Sequence, residues 1–210
     1  MDIAVLGTGS VGRTVSGRLD ELGHAVTIGT RDPQATSARA EHLSVPLATY
    51  ADAAARAELV VLAVAGAAAL DVLALAGAEH LAGKVLVDIS NPLDFSAGFP
   101  PSLLVKDTDS LGEQIQRAFP EARVVKTLNT LTASLMVHPE TLGSSSTDFV
   151  SGDDPSAKAA VAGLLAAFGH DDVVDLGGIE TARGAEMLMP LWLRLMQALG
   201  TSEFNLKVVR

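Results

Sequence analysis

Six consecutive residues, Gly7-Thr8-Gly9-Ser10-Val11-Gly12, carry the first chemical signal of this chain. They follow an apolar run, Ile3 to Leu6, and precede a helical period, so the G-x-G-x-x-G spacing falls where a strand turns into a helix. In that setting Gly7 permits the tight turn, Gly9 keeps a side chain out of the path of a pyrophosphate, and Gly12 lets the helix pack closely on the strand. The free N–H groups around Ser10 and Val11 and the positive end of the helix dipole then hold the anion. A glycine-rich turn without a ligand is the competing reading, and the strand-to-helix context weighs against it.

The second signal is Gly29-Thr30-Arg31, at the end of the next apolar run, roughly 20 residues beyond the last glycine, where NAD and NADP are told apart. An NAD site places a carboxylate there to accept from the ribose hydroxyls. Here Thr30 offers a hydroxyl and Arg31 a guanidinium suited to a 2′-phosphate, so the expected cofactor is NADP(H). Asp32 lies close by but stands directly before Pro33, which an N-cap role explains. A solvated surface arginine is the plain alternative for Arg31.

These residues need a scaffold of alternating strands and helices, and the chain supplies one. The run Ile3 to Leu6 reads as a buried strand. From Ser10 to Leu22, Val11, Val15, Leu19 and Leu22 recur at helical spacing, with Ser10 as a candidate N-cap and Gly23 just past the end. Strands follow at Ala25 to Gly29, near Val45 to Ala48, and at Leu59 to Val64, Lys84 to Ile89, Arg123 to Leu128, Thr147 to Ser151, Val173 to Leu176 and Phe204 to Val209. Helices are expected from Pro33 to about Glu41, from about Asp52, through the Ala/Leu stretch to about His80, and over Thr108 to Phe119, Pro155 to Phe168 and Ala182 to Leu199. Ser90 to about Lys106, with Pro92, Pro100 and Pro101, reads as a long loop. The alternation predicts an α/β fold, a Rossmann-like doubly wound and mainly parallel sheet with right-handed crossovers and a small C-terminal helical and strand extension. Residues 1–130 form the expected NADP-binding part and 131–210 the extension and helical cap on the substrate side.

Composition narrows the function classes. With 15 Lys and Arg against 25 Asp and Glu, the net charge of −10 and the absence of a basic stripe argue against nucleic acid or an anionic membrane as partner. The apolar run Leu59 to Leu70 is too short for a membrane span of ~20 residues. No cysteine occurs, which removes disulfides, thiolate catalysis and sulfur-ligated metal. The five histidines, His24, His42, His80, His138 and His170, have no i,i+4 pairing, so no metal site is expected. The N-terminus runs from Met1-Asp2 into a short apolar run followed by glycines, without the basic segment and cleavage site of a signal peptide, and cytoplasm is the expected location.

Further along stand Asp88-Ile89-Ser90-Asn91-Pro92-Leu93, Val125-Lys126-Thr127-Leu128-Asn129-Thr130 and Phe204-Asn205-Leu206. Together with Gly7 to Gly12 and the Gly29 to Pro33 turn, they resemble the NADPH-dependent oxidoreductases of 8-hydroxy-5-deazaflavin (coenzyme F420). A related arrangement occurs in the cytoplasmic domain of membrane ferric reductases. The resemblance runs through almost the whole chain, and the D-x-S-N-P and K-x-x-N-T segments discriminate more than the glycines do.

The resemblance implies that Asn91 lies at the end of the fifth strand with its amide on the nicotinamide carboxamide. Pro92 and Leu93 then form an apolar wall, and the following loop covers the second cofactor. Val64 and Ala65, at the end of the fourth strand, are placed against the cofactor's ribose and diphosphate. Asn129 falls on the substrate side near the same crevice, with Lys126 as a candidate for stabilising charge on a reduced ring. Hydride transfer depends on apposition far more than on an acid or base, so no catalytic residue is assigned. The expected activity is hydride transfer between NADP(H) and a deazaflavin or flavin-like acceptor. The alternatives are reduction of another small electrophile such as an imine, flavin-dependent ferric reduction, or a non-catalytic NADPH-sensing module. The helix around Met187 to Leu193 is apolar nearly all round apart from Arg183, Glu186, Arg194 and Gln197. Three roles stay open for it: completing the core, a homodimer contact, or lining a slot for a flat ring.

Overall fold

The computed structural model describes residues 1–39 and 45–210. Its centre is an eight-stranded sheet in the order β10-β9-β8-β5-β4-β1-β2-β3. The strands are β1 (Asp2–Leu6), β2 (Ala25–Thr30), β3 (Leu47–Thr49), β4 (Leu59–Leu62), β5 (Val85–Asp88), β8 (Arg123–Lys126), β9 (Asp148–Ser151) and β10 (Val173–Gly177). Every pairing is parallel except β8 with β9, which meet antiparallel at Lys126 and Ser151. The mainly parallel α/β fold read from the sequence is therefore the observed one.

Alternation along the strands builds two apolar layers. Ile3, Val5, Val61 and Val87 face one way, onto Val15 and Leu19 of α1 (Ser10–Glu21) and onto α8 (Pro155–Phe168). Ala4, Leu6, Val60, Leu62 and Leu86 face the other, onto α3 (Tyr50–Arg56), α4 (Ala69–Ala76) and α6 (Leu111–Ala118). Both faces are covered, which is why these strands are apolar throughout. The chain moves one way from β1 to β2 and β3 and the other way from β4 to β5 and β8. Such a reversal opens a crevice at the C-terminal ends of β1 and β4.

The remaining helices are α2 (Pro33–Arg39), α5 (Ala78–Leu81), α7 (Ala133–Val137), α9 (Ala182–Met187) and α10 (Met189–Leu199). Several expectations need correction. Ser10 does not cap α1: Gly9 occupies the cap with extended backbone and no side-chain bond, so Ser10 is already helical. The single helix expected over Ala182 to Leu199 breaks at Leu188, because Pro190 lacks an N–H and crowds the preceding turn. The Ala/Leu stretch is likewise divided at Gly77, whose φ of +91° ends α4. Residues 90–106 are not structureless, since β6 (Leu93–Asp94) and β7 (Ser102–Leu103) form an antiparallel ribbon.

The terminal segment Phe204 to Val209 is not a strand. Thr147 N–H donates to the Leu206 carbonyl at 2.9 Å, but Val208 N–H donates to the Thr147 hydroxyl, so a side chain interrupts the ladder. The helix expected from Pro33 ends at Arg39, and its extension to Glu41, like His42, lies outside the described residues. Among the described residues no helix is long and apolar enough to cross a membrane.

Candidate functional site

The glycine loop closes the end of β1. Gly7 has a φ of +129°, its N–H donates to the Gly29 carbonyl at 3.1 Å, and a Cβ at this position would overlap the Ala63 carbonyl oxygen. A Cβ on Gly12 would overlap the Gly7 carbonyl oxygen, so helix and strand approach as closely as the spacing predicted. Gly9 differs: nothing lies within 4 Å of a Cβ built there. The middle glycine faces open space where an anion has room to approach. Arg13 makes the first intrahelical bond, N–H to the Gly9 carbonyl at 3.0 Å, which leaves the N–H groups of Ser10, Val11 and Gly12 outside the helical ladder. Thr8 and Val11 are half-buried, while Gly9 and Ser10 are exposed.

Two arginines lie near this edge. Arg13, which the sequence reading passed over, donates from its guanidinium to the Thr8 carbonyl at 2.8 Å and so rests against the glycine loop. A basic residue one position beyond the third glycine was its only signal. Arg31 is exposed just past β2. Thr30 is buried, and its hydroxyl meets that of Thr36 at 2.9 Å. Asp32 accepts from Ala35 N–H at 2.9 Å, which confirms its capping role.

On the far side of the crevice β4 stops at Leu62, earlier than expected, so Val64 and Ala65 lie in the turn beyond the strand, half-buried and exposed respectively. Gly66 N–H, in that turn, donates to the Asn91 carbonyl at 3.2 Å. Asn91 is half-buried. Its Nδ2 donates to the Asn129 carbonyl at 2.7 Å, and Asn129 Nδ2 donates to Asn91 Oδ1 at 3.0 Å and to the Ala185 carbonyl at 3.1 Å. Pro92 is buried and Leu93 half-buried, the latter packing with Leu103 against Met189, Trp192 and Leu193. The sequence thus brings Asn91, Pro92, Leu93 and Asn129 to one edge, and that edge is backed by α9 and α10.

Beneath the asparagine pair lies a buried ionic group. Lys126 Nζ lies 2.9 Å from Asp88 Oδ2, 2.6 Å from the Ser90 carbonyl and 3.0 Å from Glu186 Oε1. Its side chain and that of Asp88 have no exposed surface. Burial pulls the Lys126 pKa down, but the charges and hydrogen bonds of Asp88 and Glu186 outweigh it and hold the value above that of an ordinary lysine. Lys126 is therefore charged, with all three ammonium hydrogens taken. Glu186 appeared in the sequence only as a polar interruption of an apolar helix, and that interruption was its signal. Among the described residues no group of three or more His, Asp or Glu could hold a metal ion.

Comparison with known proteins bears on the same edge. Residues 2–92, from β1 through Asn91 and Pro92, match the family model described as NADP oxidoreductase, coenzyme F420-dependent. An F420-dependent NADP reductase of Methanothermobacter marburgensis is 30% identical over 209 residues, covering 93% of this chain and 92% of that protein. A solved structure from Arthrobacter sp. FB24, assigned as an F420-dependent NADP-reductase, is 63% identical, with a TM-score of 0.97 and complete coverage of both chains. Metalloreductase STEAP3 of Rattus norvegicus is 28% identical over 195 residues. That match takes in 90% of this chain but 37% of the rat protein, so the chain spans little more than a third of that relative. With near-complete coverage of two such relatives, the chain belongs to the family of coenzyme F420-dependent NADP oxidoreductases.

Proposed function

We propose that the protein transfers a hydride between NADP(H) and a deazaflavin or flavin-like ring. The observation that carries this reading is the open space over Gly9, on the sheet edge where the asparagine pair also stands. Gly7, Thr8, Gly9, Ser10, Val11 and Gly12 hold the pyrophosphate through backbone N–H groups, with Arg13 adding positive charge beside them. Thr30 and Arg31 receive the 2′-phosphate, and Val64 and Ala65 line the ribose and diphosphate. Asn91 orients the carboxamide. Pro92 and Leu93 exclude water from one side of the rings, while Asn129 serves the acceptor side by fixing Asn91.

When bound, NADPH supplies a hydride from carbon four of its nicotinamide, and a solvent proton completes reduction of the acceptor. The chain's contribution is apposition of the two rings at about 3 to 3.5 Å rather than proton transfer. The residues after about 130 contribute the acceptor side through α9 and α10.

The similarity to F420-dependent NADP reductases supports coenzyme F420, a deazaflavin, as the acceptor, and the similarity to a metalloreductase over a shared 195 residues supports a reductase at this site. The test is an acceptor screen followed at the NADPH absorbance with deazaflavin, riboflavin, FMN and FAD in parallel. Oxidation with deazaflavin supports the reading. Tight NADPH binding without turnover on any acceptor overturns it in favour of a nucleotide-sensing module.

A further inference from the structure

Two neighbouring strands, β5 and β8, end in the same pattern. Asp88 and Lys126 are register partners across them, and three residues beyond each comes an asparagine, Asn91 and Asn129, which also pair. Both levels reach the same helix. The ionic level reaches Glu186 of α9 through Lys126, and the amide level reaches the adjacent Ala185 carbonyl through Asn129.

Glu186 extends the linkage to a fourth element. Its Oε2 accepts from Leu111 N–H at 2.8 Å and its Oε1 from Gly112 N–H at 3.0 Å, so it also fixes the N-terminus of α6. Asp88 Oδ1 accepts from Ser90 N–H at 2.9 Å and from the Ser90 hydroxyl at 2.6 Å, which ties down the residue immediately before Asn91. The formal charge of the group is one positive against two negative, and these four donors compensate the excess.

Well-packed apolar side chains would stabilise such a core as well as a buried ionic group does. What the ionic group adds is direction, because each bond fixes a vector between elements. The elements it joins carry Asn91, Asn129 and the helices behind Leu93. We propose that Asp88, Lys126 and Glu186 are positioning residues that seat α9 and α10 against the Asn91–Asn129 pair and thereby set the ring separation for hydride transfer. This inference rests on the reading of the crevice given under the proposed function.

Glu186→Gln keeps the size and one acceptor for the α6 N–H groups while removing the charge. In the folded variant the affinity for adenosine 2′,5′-bisphosphate stays within about twofold of wild type. The affinity for NADPH falls at least about threefold, and single-turnover hydride transfer to deazaflavin falls at least about tenfold. The emission of Trp192, the sole tryptophan, shifts as α10 follows α9. A variant that melts at lower temperature but keeps the wild-type affinity ratio, transfer rate and emission overturns the proposal.

Should Glu186→Gln fail to fold, Glu186→Asp retains the charge on a shorter arm. A wild-type rate and affinity ratio in that variant overturn the proposal in the same way. Failure of the wild-type protein to bind NADPH would remove the reading of the crevice instead. The positioning of α10 is then decided by Trp192 emission alone, where no shift in either variant counts against it.

Discussion

Asn91 and Asn129 hold each other reciprocally, each donating a side-chain N–H to an oxygen of the other. This leaves Asn91 with one amide hydrogen and one Oδ1 lone pair beyond the pair, the complement a carboxamide requires. Leu128, between Lys126 and Asn129, takes a φ of +57°, a conformation costly for a bulky side chain. It is held there by burial and by the bond from Leu131 N–H to its carbonyl at 3.2 Å. Local strain at the end of a strand is thus accepted where the asparagine pair is formed.

Replacement of Asn91 should separate ring placement from nucleotide binding. Asn91→Ala is expected to lower single-turnover hydride transfer at saturating NADPH by roughly ten- to hundredfold, with affinity for adenosine 2′,5′-bisphosphate nearly intact. An unchanged transfer rate per folded molecule would leave Asn91 as a turn residue only.

Gly9 and Gly12 should respond differently to a side chain. Gly9→Val projects into open space, so the protein folds while NADPH binding is lost. Gly12→Ala places a methyl on the Gly7 carbonyl oxygen and is expected to cost about 1 to 3 kcal/mol of stability. Urea denaturation and NADPH titration of both variants check this. Retained nucleotide affinity in Gly9→Val would move the dinucleotide away from the loop.

At the second strand, Arg31→Glu should weaken NADPH far more than NADH. A charge-assisted bond to the 2′-phosphate contributes about 1.5 to 3 kcal/mol, roughly a ten- to hundredfold change in affinity. Equal losses for the two nucleotides would assign Arg31 to the fold.

Asp148, 1% exposed at the start of β9, makes stability depend on pH. Burial raises its pKa; the charge of His170 and bonds from Phe149 N–H, the Thr127 hydroxyl and Leu128 N–H pull it back without cancelling the rise. The folded state therefore keeps this proton to higher pH than the unfolded chain does. Stability on its account falls as pH rises from near 4 through the raised value, and levels off above it. Asp148→Asn should remove that slope, so its urea midpoint should gain on wild type as pH rises from ~4 to ~7. Parallel midpoint curves would contradict the assignment.

Much of the fold could be read from periodicity. The apolar runs at β1, β4 and β5 and the Val11, Val15, Leu19, Leu22 stripe were legible because both faces of the sheet are covered. Where a single residue decides, the pattern misled: Pro190 divides one apolar stretch into α9 and α10, and the Thr147 hydroxyl replaces a ladder bond at the C-terminus. At the candidate site, spacing singled out Gly7, Gly9 and Gly12, and the family resemblance singled out Asn91 and Asn129; spacing alone placed no partner for the asparagines. It could not show that both Asn129 amide hydrogens go to Asn91 and Ala185, because α9 is more than fifty residues away in the chain. Lys126 read as a candidate for charge stabilisation for the same reason, as its partner Glu186 lies on that distant helix.

Direct transfer is best tested with NADPH carrying deuterium on the transferred face of its nicotinamide carbon four, mixed with protein and oxidised deazaflavin. The proposal predicts that one deuterium appears at the ring carbon of the reduced deazaflavin, with a slower transfer than from unlabelled NADPH. Reduced deazaflavin without deuterium, or nucleotide that binds and is never oxidised, would contradict it.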